Sequence, residues 1–264
     1  MQLIQKHSFK ILVCLTILLV LSSFLIDPPK KTLFIIGDST VQNTTSPTGM
    51  WGWGSVIGDL LDTTAIHVSN QAKAGRSTRT FIKEGRWDKT LAAIQPGDYL
   101  IMQFGHNEGS KPDTSKSGYR GVLKGIDNDS VSLTWADGSI EVVHSYGWYL
   151  VKFVQEAKAK GAIPIIASMI PRNEFKDGKV IRADNNYGKW AADVAHLTGA
   201  FFIDLNAITA DKYDMMGPDR VKLFFPIDHT HTTEAGARIN AASVIEGLQK
   251  ITSCTLNKYV LSTK

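Results

Sequence analysis

Four short blocks of polar residues each follow an apolar run, and each holds a side chain able to do chemistry. Gly37-Asp38-Ser39-Thr40 sets a hydroxyl directly behind Leu33-Phe34-Ile35-Ile36. A serine at such a place is a nucleophile when a base lies within reach, and an ordinary helix cap when none does. The second block is Asn70-Gln71-Ala72-Lys73-Ala74-Gly75-Arg76-Ser77, in which Gly75 is free to present a backbone N–H to an anion. By itself it is a common loop glycine. In the third, Gln103-Phe104-Gly105-His106-Asn107-Glu108, the Asn107 amide is a donor suited to a developing oxyanion, or simply a turn residue. The fourth is Asp228-His229-Thr230-His231. An Asp three residues before a His can fold back to accept from one imidazole nitrogen, which leaves the other free as a base. His231 has that offset, while His229 is adjacent to Asp228 and should point elsewhere. A His-x-His beside an Asp is also a metal-ligand pattern. No third ligand cluster accompanies it, so the expectation is no metal and no cofactor.

The order and spacing of the blocks say more than any one of them. Gly-Asp-Ser near the start, Gly-x-Asn-Glu in the middle and Asp-x-x-His near the end resemble the SGNH (GDSL-like) hydrolase superfamily, over roughly residues 32 to 250. Within it, Gly-Asp-Ser-Thr, Ala-Gly-Arg-Ser, Gly-His-Asn-Glu and Asp-His-Thr-His-Thr look like the rhamnogalacturonan acetylesterases; Glu108 stands where many members have Asp. The resemblance implies a serine esterase that removes O-acetyl groups from pectic polysaccharide. Ser39, His231 and Asp228 would be the catalytic triad, and the N–H groups of Ser39 and Gly75 with the Asn107 amide the oxyanion hole. Other carbohydrate esterases such as acetylxylan esterases, and lipases or thioesterases of the same superfamily, are the alternatives. A non-catalytic carbohydrate-binding protein has no use for a triad, and a metal-dependent hydrolase would need more ligands.

Arg76, Arg79 and Arg172 fall in or near loops at strand ends, where a guanidinium can pair with a galacturonate carboxylate. Structural salt bridges are the competing role for each. The expectation is Arg76 and Arg172 as substrate-binding residues, with Arg79 also near the mouth. Trp51 could stack on a sugar face, and Trp53 is expected to pack inside.

Elements must bring these blocks together. Leu33–Ile36, Tyr99–Phe104, Ile163–Ala167 and Phe201–Asp204 are continuous apolar runs, and Ile66–Asn70 is a weaker one. Runs without alternation indicate strands buried on both faces, as in a parallel sheet. Helical patterns over Trp148–Lys160, Tyr187–Leu197 and Glu234–Ile251 lie between or after them, with Gly161 as a stop and Thr232-Thr233 as a cap. The expectation is an α/β three-layer sandwich around a central parallel sheet, flavodoxin-like in class. Residues 119–144 switch to period two, with Asp137-Gly138 as a hairpin turn. They predict a small β insert of two or three strands on the third core strand's carboxyl side, where ligands bind in such folds.

The chain has 264 residues, 43% of them hydrophobic and 20% charged, which excludes disordered and fibrous classes. The net charge is +4 without a dense Lys/Arg run, so nucleic acid is not an expected partner. Lys6 and Lys10 precede an uncharged run, Ile11 to Ile26, too short for the roughly 30 Å hydrocarbon core. Residues 1–26 therefore read as a signal peptide or N-terminal anchor, residues 27–31 as a linker and residues 32–255 as the hydrolase domain. The expectation is an exported protein, periplasmic or secreted, that touches a membrane only through an uncleaved N-terminal segment. Cys14 and Cys254 cannot build a disulfide scaffold.

Overall fold

The continuous apolar runs become the inner strands. The computed structural model describes residues 29–44, 49–115 and 119–262, and the signal or anchor segment and Cys14 lie outside them. Strands β1 (Lys31–Gly37), β2 (Ile66–Asn70), β3 (Tyr99–Gln103), β6 (Ile163–Ala167) and β9 (Phe201–Ile203) form one parallel sheet in the order β2-β1-β3-β6-β9. All five match runs expected to be strands. β1 starts at Lys31, so the linker ends one residue earlier than expected.

Because side chains alternate across a strand, the sheet feeds two cores. Leu33, Ile35, Tyr99, Ile101 and Ile165 point into one, where they meet Trp53, Ile57 and the inner face of helix α7 (Glu234–Lys250). Phe34, Ile36, Leu100, Met102 and Ile166 point into the other, against helices α1 (Thr78–Lys83), α2 (Arg86–Ala93), α3 (Tyr146–Ala159) and α4 (Tyr187–Thr198). This is the expected three-layer sandwich. The helical patterns give α3, α4 and α7; Gly161 follows α3 at φ +78°, and the Thr233 side chain caps α7 by accepting from the Gly236 N–H. Helices α5 (Leu205–Met216) and α6 (Pro218–Lys222) complete the fold. Tyr213 and Val221 on them close a small third cluster with Phe225 and with Val180 of a short hairpin, β7 (Phe175–Lys176) with β8 (Lys179–Val180). The domain runs past residue 255: Leu256 and Tyr259 are buried in the first core, and the Leu61 segment bridges to Val260. Cys254 is buried and free.

The insert is a single hairpin, β4 (Ser130–Thr134) with β5 (Ile140–His144), turning at Gly138, whose φ is +81°. The period-two stretch Val122–Ile126 is not a strand. Val122 is buried in the second core, Leu123 makes one isolated bridge to Ser145, and Gly125 at φ +89° bends the chain away. Among the described residues no helix is long and apolar enough to cross a membrane.

Candidate active site

The strand order places β1 between β2 and β3, and chain direction diverges there. A crevice opens at the carboxyl ends of strands at such a point. Ser39 leaves β1 on a turn in which Val41 and Gln42 donate to the Asp38 carbonyl. Gly37 has no room for a side chain, since a Cβ would fall 2.6 Å from the Gln103 carbonyl and 2.7 Å from Val41 Cγ2. The Asp38 carboxylate folds back: its Oδ1 accepts from Thr40 N and Thr40 Oγ1, both at 2.8 Å. Thr40 Oγ1 accepts from Gln103 Nε2 at 2.7 Å, and Gln103 Oε1 from Trp53 Nε1 at 2.8 Å. This buried relay fixes the turn against β3 and gives Trp53 its interior place.

On the turn before α7, Asp228 Oδ1 accepts from the backbone N–H of Thr230 and of His231, each at 2.7 Å. That fold brings Asp228 Oδ2 within 2.7 Å of His231 Nδ1, and His231 Nε2 within 2.8 Å of Ser39 Oγ. With the proton on Nδ1 held by the carboxylate, Nε2 is the acceptor for the serine hydroxyl. Burial acts to raise the Asp228 carboxyl, but the hydrogen bonds from His231 and Thr230 outweigh it and hold it down at about 2. Asp228 thus stays anionic beside the imidazole at any working pH. His229 turns away, its Nδ1 lying 3.3 Å from Glu174. Trp51 sits next to the triad, bridged through backbone to Thr232. Among the described residues no three His, Cys, Asp or Glu side chains cluster to hold a metal ion.

Two loops flank the serine. Gly75 follows β2 at φ +76°, a conformation that a side chain would strain. Gln42 Oε1 accepts from Ala74 N and ties this loop to the Ser39 turn. Asn107 follows β3. One of its amide hydrogens goes to the Arg76 carbonyl at 3.0 Å, and the other has no partner among the described residues. Glu108 is fully buried and accepts from Thr78 N at 2.8 Å and Asn107 N at 2.9 Å, so one carboxyl joins the two loops. Burial, followed by the nearby Asp38 charge, pushes it up to about 8. Burial likewise raises Asp38 to about 6.

A cleft of about 510 Å³ opens beside the Gly105–His106 loop, with Met169, Arg172, Tyr187 and Trp190 also on its walls, and no triad residue lines it. Burial, then the Arg172 charge, lowers the His106 imidazole to about 3, so it is neutral. Of the expected substrate-binding residues, only Arg172 lines this cleft. Arg76 does not stand free: its Nε reaches both Glu84 oxygens at 3.0 Å, and its Nη1 the Ala74 carbonyl at 2.9 Å. Arg79 is not at the mouth either. It is 1% exposed and grips Glu141 of β5 with Nε and Nη2, each at 2.8 Å, and the Gly121 carbonyl with Nη1 at 3.0 Å. Both take the structural role because each has a carboxylate within reach that offsets its desolvation.

The chain resembles known proteins over most of its length. A sequence model described as the GDSL-like lipase/acylhydrolase family matches residues 35–239. The chain belongs to this family. It is similar to a rhamnogalacturonan acetylesterase of Emericella nidulans, 32% identical over 218 residues that cover 83% of this chain and 84% of that protein. It is also 30% identical to the rhamnogalacturonan acetylesterase RhgT of Bacillus subtilis, covering 83% and 90%. Among solved structures, the fold matches the YxiM protein of Bacillus subtilis at TM-score 0.68 and 24% identity, over 85% of this chain and 58% of that one. An acetylxylan esterase from Geobacillus stearothermophilus matches at TM-score 0.56 and 18% identity, over 88% and 97%.

Two features of this family member's site escaped the sequence. Arg120 carries no motif, yet its Nη1 donates to the Gly75 carbonyl at 3.3 Å. Glu108 reads as a conservative change in a motif; only burial reveals it as the link between two loops. A carboxylate next to a motif asparagine and inside an apolar surround is the signal that could have found it.

Proposed function

We propose that the protein is a serine esterase that removes acetyl groups from rhamnogalacturonan. The continuous line Asp228–His231–Ser39, with hydrogen bonds of 2.7 and 2.8 Å, is the observation that carries the reading. The named relatives supply its substrate.

Ser39 Oγ attacks the acetyl carbonyl as His231 Nε2 takes the hydroxyl proton. Asp228 holds the ring by Nδ1 and balances the imidazolium. The carbonyl oxygen becomes an oxyanion, for which the N–H groups of Ser39 and Gly75 and the free Asn107 amide hydrogen are the donors. Each such donor is worth about 3 kcal/mol. The tetrahedral intermediate expels the sugar oxygen, which takes the proton from His231. A water, deprotonated by the same nitrogen, then attacks acetyl-Ser39, releasing acetate and restoring the hydroxyl. Export fits a polymeric substrate that cannot enter a cell, and Lys6, Lys10 and the apolar run to Ile26 support it.

Acetate release from a panel of acetylated plant polysaccharides tests the reading, with wild type beside Ser39→Ala. Wild type should act best on acetylated rhamnogalacturonan. Preference for acetylated xylan would overturn the substrate, and an active Ser39→Ala the mechanism.

A further inference from the structure

The arginines of this protein divide by partner. Arg76 and Arg86 bond Glu84, Arg79 bonds Glu141, Arg182 bonds Asp211 and Asp214, and Arg238 bonds Asp59 and Glu234. Among the described residues Arg120, Arg172 and Arg220 meet no carboxylate. Two of these three are at the active site, and each is steadied by a backbone carbonyl instead. Arg120 Nη1 donates to Gly75, and Arg172 Nη2 to His106 through a long bond of 3.4 Å. Those carbonyls belong to the two loops that carry the proposed oxyanion donors Gly75 and Asn107.

Strand order gives the placement. Ser39 follows β1, with the Gly75 loop after β2 on one side and the His106–Asn107 loop after β3 on the other. Arg120 rests on the first loop, its Nη1 only 3.4 Å from where a Gly75 Cβ would lie. Arg172 follows β6 and rests on the second. Strands β2 and β6 are three spacings apart, or about 14 Å. That suits carboxylates on two different sugars rather than two oxygens of one. Two other charges of the cleft are engaged, Arg182 by its two aspartates and Glu174 by His229, and Lys124 is a further cation on its wall. The neutral His106 leaves the Arg172 charge unshared within the wall.

We propose that Arg120 and Arg172 are carboxylate clamps on the two sides of Ser39, each taking one uronate of an acidic polysaccharide whose acetylated sugar lies between or beside them. The idea rests on the deacetylase reading and names what that reading leaves open: which residues recognise the acid groups. It also gives the insert a task, since its first turns deliver Arg120 to the mouth.

The test uses acetylated rhamnogalacturonan and the same polymer with its carboxyls reduced to alcohols, at low salt. The readout is the ratio of kcat/KM on the acidic polymer to that on the reduced one. Wild type should favour the acidic form. Arg172→Gln should lower the ratio about tenfold, as expected for loss of a half-buried charge-assisted pair. Arg120→Gln, at an exposed site, should lower it about threefold. Arg172→Lys should recover part of the preference, because charge returns without the fork. Arg220→Gln, away from both loops, should leave the ratio unchanged. Arg120 is exposed, so its variant stays informative even if Arg172→Gln folds poorly. Equal wild-type rates on both polymers, or equal losses on both in the variants, would overturn the clamp and leave the esterase intact. Cleavage of p-nitrophenyl acetate with no acetate from either polymer would overturn the substrate reading and the clamp with it.

Discussion

The carboxyl edge of the sheet and the insert between β3 and α3 place charged groups by opposite means. At the sheet edge, backbone groups orient the reacting side chains: two N–H groups hold the Asp228 carboxylate, and the Arg76 carbonyl holds the Asn107 amide, while buried side chains brace the turns beneath them. The side-chain atoms that remain, His231 Nε2 and one Asn107 hydrogen, are left for the reaction. In the insert, side chains do the placing. Glu141 gathers Arg79, Lys83 and Trp135 Nε1 within 2.7 to 2.8 Å, and that cluster bolts the hairpin to α1. Charges spent on each other are not available to a ligand. A cation without a carboxylate partner is therefore informative about function, and a paired one about architecture.

The widest gap between the two regions should appear on removing a group from each. Ser39→Ala should lower kcat by about four orders of magnitude or more while thermal melting stays at the wild-type temperature. His231→Ala should match it, and the double variant should be little worse, because triad members act as a unit. His229→Ala should be much milder, since its ring points to Glu174. Initial rates on p-nitrophenyl acetate decide this, and a His229 variant as inactive as the Ser39 one would break the assignment.

In the insert the balance reverses, with stability hit first. Arg79 is 1% exposed and Glu141 only partly reachable, so Arg79→Met leaves the carboxylate with Lys83 and Trp135 Nε1 and opens the Gly121 and Asp113 carbonyls. Breaking a buried pair from one side costs about 3–5 kcal/mol. For a domain of this size that is roughly 6–20 °C in melting temperature. Calorimetry should show the fall. An unchanged melting point would mean that the hairpin is not held by this cluster.

The sheet edge and the hairpin turn at Asp137-Gly138 were legible in the sequence, and the contacts that anchor the insert were not, for the same reason. Strands buried on both faces leave continuous apolar runs, and loops at their ends keep their contacts within a few residues, as Asp228 does with His231. Ser39 and His231 are far apart in sequence, yet the strand runs on either side fix where each must emerge. The insert instead depends on a contact between Arg79 and Glu141, 62 positions apart with no periodic signal between them. That is why Arg79 reads as a ligand residue in sequence and Arg120 does not read at all. The Val122–Ile126 stretch misleads in the same way. Its alternation resembles a strand, but Val122 is drawn into the core and Gly125 turns the chain.

A smaller effect separates the two regions by pH. Burial raises Asp38 to about 6 and Glu108 to about 8, both at the sheet edge, whereas Glu141 in the insert is brought down to about 2 by Arg79 and Lys83 against the pull of burial. A raised carboxyl holds a proton in the folded chain that the unfolded chain has already lost. Its stabilising share is therefore present at low pH and is lost as pH rises toward 8. Glu141 acts the other way, and its share is lost only as pH falls below the ordinary carboxylate range. Melting temperature should decline between about pH 5 and 8 in wild type, and more gently in Glu108→Gln, which has no such proton to lose. Thermal melts at stepped pH measure both slopes, and equal slopes would remove Glu108 as the source.

The smallest expected effect is at Arg76, and it sharpens the comparison most directly because Arg76 lies beside Gly75 in sequence. Proximity alone would make it a ligand residue. Its guanidinium instead lies across both Glu84 oxygens and is braced on the Ala74 carbonyl, and the two side chains are 31% and 33% exposed. Partly exposed pairs contribute at most about 1 kcal/mol. Glu84 also keeps Arg86 at 2.6 Å after the change, so it is not left alone. The catalytic contact at this position is the Arg76 carbonyl that accepts from Asn107, and substitution preserves it. Arg76→Gln should thus melt within about 2–4 °C of wild type. It should also leave the preference for acidic over carboxyl-reduced polymer within about twofold, well inside the change expected from Arg172. Steady-state rates on the two polymers give the answer. A loss of preference as large as that of Arg172→Gln would mean that an acid partner does not keep an arginine from the substrate, and would erase the distinction between the two regions.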